Sequence, residues 1–499
     1  MMHLQSLLQW LIVFPLLAAG GVVLAGKRPN LREGISLVTA ALVVFGLVIL
    51  YQGVSAGDVI QARWLELLPG LSIAFRVESL GLLFAFVAGS LWFVTTVYSI
   101  GYMRGHHESH QTRFYGFFAV SIAAVMGIAF AENLFTLFIF YEVLTLCTYP
   151  LVTHAGTDGA RQGGRVYLGI LLGTSILFFL PAIIGTWVVS GTLSFTEGGV
   201  FSDGASTTVL SVLLLLFAFG IGKAALMPFH RWLPAAMVAP TPVSALLHAV
   251  AVVKAGVFTF VKICAFIFGL DTLAALPITQ WLMYLAGLSI LLASLVAMSK
   301  DNLKARLAYS TVSQLGYITL GALLATASGI TGSAMHIAMH AFGKITLFFC
   351  AGAILVAAHK TEISEMEGLG QRMPVTMAAF LIASVSIIGL PPGGGTWSKW
   401  YLLGGTLEAG QWVLMSVLML STLLNIAYLL PIPLRAFFPS AAWRARQGMA
   451  HAAVKEAPLA SVLALSTTAV ACVVLFIYPQ ILYGLVNYVG SEDWSWLRK

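Results

Sequence analysis

Long apolar runs follow one another along the whole of this chain, and only short charged segments separate them. Hydrophobic residues occupy 59% of its 499 positions and charged residues occupy 9%. A water-soluble domain carries about 25% charged residues, because its surface must be hydrated. This chain cannot cover a soluble surface in that way, so the sequence predicts an all-α polytopic membrane protein.

About fourteen of the apolar runs are long enough to cross a bilayer, which takes about 20 residues in a helix. Their predicted extents are 7–26, 34–52, 75–102, 114–131, 133–153, 166–190, 207–228, 241–268, 276–299, 305–325, 331–358, 374–408, 411–434 and 457–485. Prolines interrupt two of them, at Pro228 in the seventh and at Pro391 and Pro392 in the twelfth. The first run has no basic segment before it and no small-residue cleavage site after it, so we expect a retained helix.

The basic loop residues fall very unequally on the two sides of the predicted membrane. One side carries seventeen of them: Lys27, Arg28, Arg32, Arg104, Arg113, Arg161, Arg165, Arg231, Lys300, Lys304, Arg306, Lys360, Arg372, Arg435, Arg444, Arg446 and Lys455. The other side carries four: Arg63, Arg76, Arg498 and Lys499. Cytoplasmic loops are the basic ones, so we expect an even number of spans with both termini on the outer side.

The two interrupted spans are five helices apart, and an odd offset reverses a helix in the membrane. Spans four to eight and nine to thirteen are therefore candidates for two inverted five-helix repeats, the usual setting of a transport site. This predicts a three-helix segment at 1–110, repeats at 111–270 and 271–436, and a C-terminal loop with the last helix at 437–499.

Charge and cysteine content exclude several other classes of protein. The formal net charge is +7, but the basic residues lie singly in short loops and form no patch that would bind nucleic acid. The four cysteines all lie in apolar runs, without the paired spacing of a disulfide or a metal site. Small apolar helix residues are the simpler interpretation of these cysteines.

Five lysines remain after the loops are accounted for, and all five lie within predicted spans. They are Lys223, Lys254, Lys262, Lys344 and Lys399. A buried ammonium costs several kcal/mol, so such a lysine can take up and release a proton as its surroundings change. The alternative is a lysine whose long side chain reaches the membrane surface, and we favour that alternative for Lys262, near the outer end of its span.

Lys223 and Glu142 form the first candidate group. Pro228 lacks an amide donor and clashes with the carbonyl of Ala224, so the helix must break beside Lys223. Glu142 is the only carboxylate near the middle of a predicted span, which makes it the natural partner of Lys223. At ~4 Å and an effective dielectric near 20, their attraction is about 4 kcal/mol. The pair is either a switch that expels a proton when it separates or a fixed structural ion pair.

A stripe of titratable side chains follows in the eleventh span. His336, His340 and Lys344 are spaced i, i+4, i+8 and share one helix face. Two histidines four apart can hold zinc, but here no glutamate separates them and no third ligand is evident. A proton wire is the better interpretation, and structural packing is the alternative.

Two further groups extend this chain of residues. Lys254 is a candidate relay between Lys223 and the stripe, and His248 could bridge them, although a hydrogen-bonded structural histidine explains His248 almost as well. Lys399 follows the second break, where Gly393, Gly394 and Gly395 leave room for water. Its helix runs toward the outer face, so Lys399 is the candidate release group.

Three stretches of this sequence resemble one family of membrane proteins. They are residues 222–234 (GKAALMPFHRWLP) with 239–249 (APTPVSALLHA), the stripe His336/His340/Lys344, and Pro391–Pro392 with Ser398–Lys399. The chain resembles, over about its whole length, the antiporter-like subunits of respiratory complex I, of membrane-bound hydrogenases and of Mrp-type sodium/proton antiporters. Among these it looks most like the D-type subunits of Mrp antiporters. Lysine at position 399 fits that branch and one complex I subunit, whereas other complex I branches have an acidic residue there.

The resemblance implies a fourteen-helix fold with inverted repeats, a Glu142–Lys223 pair, a polar axis from Lys254 to Lys344, and Lys399 as the terminal proton group. It also implies partner membrane subunits, with protons and possibly sodium as the transported ions. No quinone, nucleotide or iron–sulfur motif is present, so we expect no cofactor and no metal in this chain. A redox-driven subunit, an inactive scaffold and, more remotely, a membrane transferase are the competing interpretations.

Overall fold

Helices make up nearly all of this protein, as expected for a chain whose backbone must bond internally in lipid. The computed structural model describes residues 2–202, 204–246, 250–441, 443 and 455–486. Ten of its helices are long and apolar enough to cross a membrane, and two shorter apolar helices, Thr207–Gly220 and Pro374–Ile388, lie beside a chain break. The predicted class, an all-α polytopic membrane protein, is confirmed.

The first part of the chain contains a three-helix segment with a hairpin, followed by helices that lead to the first break. Its elements are α1 (Met2–Leu24), α2 (Pro29–Ser55), β1 (Gln61–Leu68), β2 (Leu71–Arg76), α3 (Ser79–Gly105), α4 (Gln111–Ala129), α5 (Leu134–Val152), α6 (Asp158–Thr174), α7 (Leu180–Ser190) and α8 (Thr207–Gly220). A π-helical turn joins α6 to α7 without interrupting the rod.

The middle of the chain contains the first break and the helices that follow it. Its elements are α9 (Trp232–Ala235), α10 (Thr241–Ala245), α11 (Val252–Ile263), α12 (Leu270–Ala275), α13 (Pro277–Ser299), α14 (Leu303–Leu323) and α15 (Ala327–Ala358). The last part contains α16 (Pro374–Ile388), α17 (Gly395–Glu408), α18 (Trp412–Leu429), α19 (Pro431–Phe437), α20 (Leu459–Ile477) and α21 (Gln480–Val486).

Both breaks fall where the prolines predict them. After α8 the chain leaves the helical path at Ile221 and forms a short 3₁₀ turn at Gly222–Ala224 before Pro228. Between α16 and α17 it turns through Gly389, whose φ of +89° is a left-handed conformation that favours glycine. Each of the fourteen predicted spans contains helix in the structure, although the breaks divide some of them into pieces.

A two-stranded hairpin lies where the sequence analysis expected only loop and the start of the third span. Strand β1 pairs with β2 in antiparallel register, with Gln61 opposite Arg76 and Leu68 opposite Leu71. Pro69 and Gly70 form the turn between them. A Pro-Gly dipeptide between apolar stretches is a turn signal, so the hairpin could have been predicted.

Helix α15 is the element around which the candidate residues gather. It has 32 residues, which corresponds to about 48 Å at 1.5 Å per residue. It packs against α3, α14, α16, α17 and α20 and also contacts α11. The side chain of Thr326 accepts a hydrogen bond from the amide of Gly329 and fixes where α15 begins.

Candidate functional site

Lys223 lies in the first chain break itself and is completely buried. Close packing holds the turn around it. A Cβ atom at Gly222 would lie 2.2 Å from the hydroxyl oxygen of Thr174, and one at Gly256 would lie 2.3 Å from the carbonyl carbon of Lys223. Glycine at these two positions therefore lets α6 and α11 approach the turn and set the position of its lysine.

The ammonium group of Lys223 has neutral partners on α5. Its Nζ donates to the carbonyl of Tyr141 at 2.8 Å and to the Thr145 hydroxyl at 2.5 Å. The same nitrogen lies 3.1 Å from the centre of the Tyr141 ring, within cation–π range. Tyr141 and Thr145 are four residues apart on one face of α5, so they form a ready-made cradle for the lysine.

Glu142 does not form the direct ion pair with Lys223 that the resemblance implies. Neither of its buried carboxylate oxygens has a hydrogen-bond partner among the described residues, and the ion pairs of that part of the chain do not join it to Lys223. The carbonyl of Tyr141 and the Thr145 hydroxyl instead take two of the three N–H donors of the ammonium. Glu142 thus makes no direct contact with the ammonium, but its charge is close enough to interact electrostatically with Lys223.

Lys254 contacts the stripe on α15 directly. It is completely buried on α11, and its Nζ is hydrogen-bonded to Nδ1 of His340. The other ring nitrogen of His340, Nε2, has no partner in the part of the chain that the structure describes. This contact joins the first half of the chain to the second.

His336 continues the connection toward the second break. Its ring stacks on that of His340 with centroids 5.7 Å apart and planes inclined by 22°. Its Nδ1 is 2.8 Å from the hydroxyl of Ser398, and its Nε2 is 3.1 Å from the side-chain oxygen of Gln314. Because Ser398 precedes Lys399 in α17, the stripe ends next to the second broken helix.

Lys344, one turn further along α15, has its own polar partners. Its Nζ donates to the Ser310 hydroxyl at 2.6 Å and lies 3.4 Å from the carbonyl of Leu307. The hydroxyl oxygen of Tyr428 also lies within hydrogen-bond distance of the Ser310 hydroxyl, at 2.9 Å. Lys344 therefore belongs to the same helix face as the histidines but bonds to a separate group of hydroxyls.

Lys399 fills the space that the second break opens. Its Nζ donates to the carbonyl of Ile388 at 2.9 Å, an acceptor that the end of α16 leaves free, and lies 3.4 Å from the Thr422 hydroxyl. It also lies 4.7 Å from the centre of the Tyr317 ring. Its side chain packs on Gly389, where a Cβ atom would be 2.6 Å from the lysine Cδ.

Lys262, for which the sequence favours a side chain that reaches the membrane surface, is completely buried within the protein. Its Nζ lies 3.0 Å from a carboxylate oxygen of Glu78 and donates to the carbonyl of Ala131 at 2.7 Å. The partner is 184 positions away in a segment predicted to be near the outer loop, so no local pattern could have identified it.

The structure thus brings Lys254, His340, His336 and Ser398 into one connected group, and it places Lys223 and Lys344 in neighbouring groups. His248 lies outside the described residues. Sequence reasoning missed Tyr141, Thr145 and Tyr428, although the i, i+4 spacing of the first two beside Glu142 was a usable signal. Within the described ranges, no three histidine, cysteine, aspartate or glutamate side chains are grouped so that they could hold a metal ion.

Comparison with protein families gives a match over the region that contains these lysines. Residues 131–425 match the family model of the transmembrane region shared by NADH:quinone oxidoreductases and Mrp antiporters. The matched range includes both breaks and the whole stripe, and it covers more than half of the chain.

Individual relatives come from both branches of that family. The chain is 32% identical to the N subunit of the NADH-quinone oxidoreductase of Desulforudis audaxviator, over 79% of each chain. It is 31% identical to the A/B subunit of a probable potassium/proton antiporter of Rhizobium meliloti, over 80% of this chain and 39% of that one. It is 30% identical to chain 5 of the NAD(P)H-quinone oxidoreductase of Synechocystis, over 82% of this chain and 63% of that one.

Solved structures share the fold over nearly the whole chain. A chain of an archaeal membrane-bound sulfane sulfur reductase matches with a TM-score of 0.85 at 24% identity, covering 97% of this chain and 96% of that one. A chain of the Mrp complex from a Dietzia species matches with a TM-score of 0.84 at 23% identity, covering 98% and 97%. A chain of respiratory complex I from Thermus thermophilus matches with a TM-score of 0.80 at 22% identity, covering 97% and 98%.

Proposed function

Since this chain belongs to the family of antiporter-like membrane subunits of NADH:quinone oxidoreductases and Mrp antiporters, we propose that it is the proton-translocating subunit of a multi-subunit monovalent cation/proton antiporter. The observation that carries the proposal is the contact between Lys254 and His340, which joins the two halves of the molecule through titratable groups. Sodium is the cation that the resemblance to the D-type subunits of Mrp antiporters suggests.

The chemistry of the buried lysines supports proton transfer. Lys223, Lys254, Lys344 and Lys399 are buried, and their hydrogen bonds go to carbonyls, hydroxyls or imidazole. An ammonium whose direct hydrogen-bond partners are neutral is costly in a low-dielectric interior, so small changes around it suffice to move its proton. A fixed structural network would pair each ammonium with a carboxylate instead.

The proposed route begins at Lys223, which takes up a proton on the cytoplasmic side while the nearby Glu142 stabilises its charge. It ends at Lys399 on the outer side, and separation of Glu142 from Lys223 drives the proton onward. From Lys223 the proton passes to Lys254 by way of His248 or water, and then to His340. His336 and Ser398 carry it on toward Lys399, while Lys344 holds a second proton on the same helix face. In an antiporter the direction reverses with the ion gradients.

The proposal also includes how the chain is divided into half-channels and how it is oriented in the membrane. Residues 111–270 and 271–436 are two inverted half-channels, flanked by a three-helix segment at 1–110 and by the last helix within 437–499. The chain lies in a bacterial inner membrane with its basic loops in the cytoplasm and both termini on the outer side. Partner membrane subunits complete the antiporter.

A second candidate function has support from the relatives. Several of them are subunits of NADH-quinone or NAD(P)H-quinone oxidoreductases, so this chain could instead pump protons in a redox-driven complex. The proton route would be the same, and only the driving reaction would differ. Purification of the native complex and identification of its subunits by mass spectrometry separates the two, because iron–sulfur subunits would accompany only the redox-driven complex.

The decisive experiment replaces Lys223 with alanine in the assembled complex. Cation-dependent proton movement is measured with a pH-sensitive dye in inverted membrane vesicles. We expect Lys223→Ala to abolish coupled transport while the other subunits still copurify. Lys27→Ala is the matched control, because Lys27 is an exposed loop lysine at which we expect no effect.

Retained coupled transport in Lys223→Ala would refute the role of this lysine and, with it, the proposed route. If the alanine variant does not assemble, Lys223→Gln keeps most of the side-chain volume and repeats the test. If an assembled Lys223→Gln complex transports at the wild-type rate, the role of Lys223 is likewise refuted.

A further inference from the structure

A cavity of about 250 Å³ opens at the basic face of the second half of the chain. Its wall includes Asp301, Arg306, Ser364, Tyr428 and Arg435. They come from the connection between α13 and α14, the first turns of α14, a 3₁₀ turn after α15, the end of α18, and α19. These segments belong to the lysine- and arginine-rich side, which the proposed function places in the cytoplasm. The volume is enough for several water molecules, each of which needs polar partners such as these. We call this cavity the vestibule.

The inner end of the vestibule leads to a buried lysine by hydrogen bonds alone. Tyr428 lines the vestibule, and its hydroxyl oxygen lies 2.9 Å from that of Ser310, a hydrogen-bond distance. The Ser310 hydroxyl accepts a hydrogen bond from Nζ of Lys344 at 2.6 Å. One tyrosine and one serine therefore separate a loop cavity from Lys344, which is completely buried in the middle of α15.

Asn425 gives a second, independent indication that this junction holds water. It is completely buried one turn before Tyr428, and its side-chain oxygen accepts a hydrogen bond from the Tyr428 hydroxyl. Its amide nitrogen has no partner among the residues the structure describes. A buried amide donor without a partner is destabilising, and a bound water would supply the missing acceptor.

The wall of the vestibule is held in place by Arg306. Its Nη1 donates to the backbone carbonyl of Tyr428 at 3.1 Å, and its Nε donates to the carbonyl of Lys300 at 2.8 Å. Carbonyls at helix ends lack partners within the helix, so one guanidinium satisfies the ends of α13 and α18 together. Arg306 thereby links the two helix ends and holds the backbone of Tyr428 at the wall of the vestibule.

We propose that the vestibule is a second cytoplasmic access route, through which water and the Tyr428–Ser310 hydroxyl pair exchange protons with Lys344. The inference rests on the proposed proton-translocating function and adds to it a separate point of uptake in the second half of the chain. Lys223 serves the first half, and Lys344 is loaded directly from the cytoplasm rather than only by way of Lys254. Tyr428 is a positioning and relay residue in this route.

Replacement of Tyr428 by phenylalanine tests the relay without removing the ring. We expect Tyr428→Phe to reduce the rate of coupled transport at least tenfold in an assembled complex, because Ser310 loses its link to the vestibule. The matched control is Tyr284→Phe on α13, where the ring is 39% exposed on the outer surface of the helix. We expect the control to stay within twofold of wild type. A Tyr428→Phe rate within twofold of wild type would overturn the relay.

Labelling of single introduced cysteines tests access, which a purely structural tyrosine would not provide. The four native cysteines are buried, so labelling of wild type gives the background. Ser364→Cys at the exposed rim reports which face a small charged thiol reagent reaches, and Asn425→Cys reports whether it reaches the inner junction. We expect Asn425→Cys to be labelled at least fivefold above background, and only from the face that labels Ser364→Cys. No labelling, or labelling only from the opposite face, would overturn the vestibule.

Lys223→Ala measured in parallel separates the two proposals. If Lys223→Ala abolishes transport while Tyr428→Phe transports normally, only the second access route fails. If Lys223→Ala retains coupled transport, the proposed function fails, and the labelling of Asn425→Cys still decides whether the vestibule reaches the junction.

Discussion

Lys262 and the four other buried lysines show two ways of placing an ammonium inside a membrane protein. Lys262 lies 3.0 Å from the Glu78 carboxylate and donates to the carbonyl of Ala131. Lys254, by contrast, bonds to an imidazole, and Lys344 bonds to a hydroxyl and a carbonyl. These three lysines are completely buried. The difference between them is therefore the charge of the partner and not the depth of burial.

This difference separates a structural lysine from an exchangeable one. Removing one member of a buried ion pair strands the other charge, so the pair holds its protonation state and its position. A lysine with neutral partners has no counter-charge to lose, and its proton can leave without stranding an ion. Lys262 therefore attaches the start of α3 and the connection between α4 and α5 to α11. Under the proposed function, the lysines whose direct partners are neutral are the ones that transfer protons.

The largest expected effect is the loss of transport on replacing Lys254. Lys254→Met keeps an unbranched side chain of similar length but cannot carry a proton. We expect coupled transport to fall to background, because His340 is then cut off from the first half of the chain. Stability should change by no more than about 1 kcal/mol, since only one hydrogen bond is lost and a buried charge is removed. Dye-monitored transport and the thermal midpoint of the purified complex are the measurements.

A large drop in the thermal midpoint of Lys254→Met would contradict the distinction between the two kinds of lysine, because Lys254 would then have a structural role like that of Lys262. The matched control is Lys360→Met, a change of the same kind at a loop lysine. We expect Lys360→Met to keep normal transport.

The next largest effect is expected on stability, when the ion pair between Lys262 and Glu78 is broken. Lys262→Met leaves Glu78 without its counter-charge. Breaking a buried pair costs about 3–5 kcal/mol, but the Glu78 side chain is 17% exposed and can recover some hydration, so we expect a loss of about 2 kcal/mol. The double variant Lys262→Met/Glu78→Gln should recover most of the lost stability, because no charge is then left unpaired. The readout is the thermal midpoint, with transport measured per assembled complex.

Transport that is lost in Lys262→Met and also in the double variant, at normal assembly, would contradict the structural role of Lys262. It would place this lysine among the exchangeable ones, and the distinction drawn from partner charge would fail.

The sequence predicted the membrane fold and the two breaks because these follow from local features, namely the length of apolar runs and the chemistry of proline. The positions of the buried lysines could be read in the same way, because a charge in a long apolar run stands out alone. Their partners could not, since they depend on packing between distant helices. Glu78 meets Lys262 across 184 positions, and Thr145 takes the place beside Lys223 that sequence reasoning gave to Glu142.

A smaller effect is expected at the cradle of Lys223. Thr145→Val keeps the shape of the side chain but removes the hydroxyl that accepts from Nζ at 2.5 Å. The carbonyl of Tyr141 remains as an acceptor. One hydrogen bond is worth about 1 kcal/mol, so we expect transport to change on the order of fivefold. The control is Thr148→Val one turn away, where the hydroxyl bonds to Tyr167 and not to a lysine, and where the rate should stay near wild type.

An unchanged rate in Thr145→Val would mean that the carbonyl of Tyr141 alone fixes the ammonium. Complete loss would mean that this hydroxyl is itself a step of the proton route.

The smallest effect concerns Glu132, a second carboxylate in the outer loop near Lys262. Burial raises the pKa of Glu132 above its usual range, and the nearby Arg76 opposes that shift. A raised folded-state pKa means that its contribution to stability is fully present below the unfolded pKa of about 4.5 and is lost as pH rises through the folded pKa. Glu132→Gln stays neutral, so its thermal midpoint should vary less with pH just above 4.5 and lie slightly above wild type at pH 7. A lower midpoint at pH 7 would instead show that the Glu132 charge helps to balance Lys262, which would then have two acidic partners rather than one.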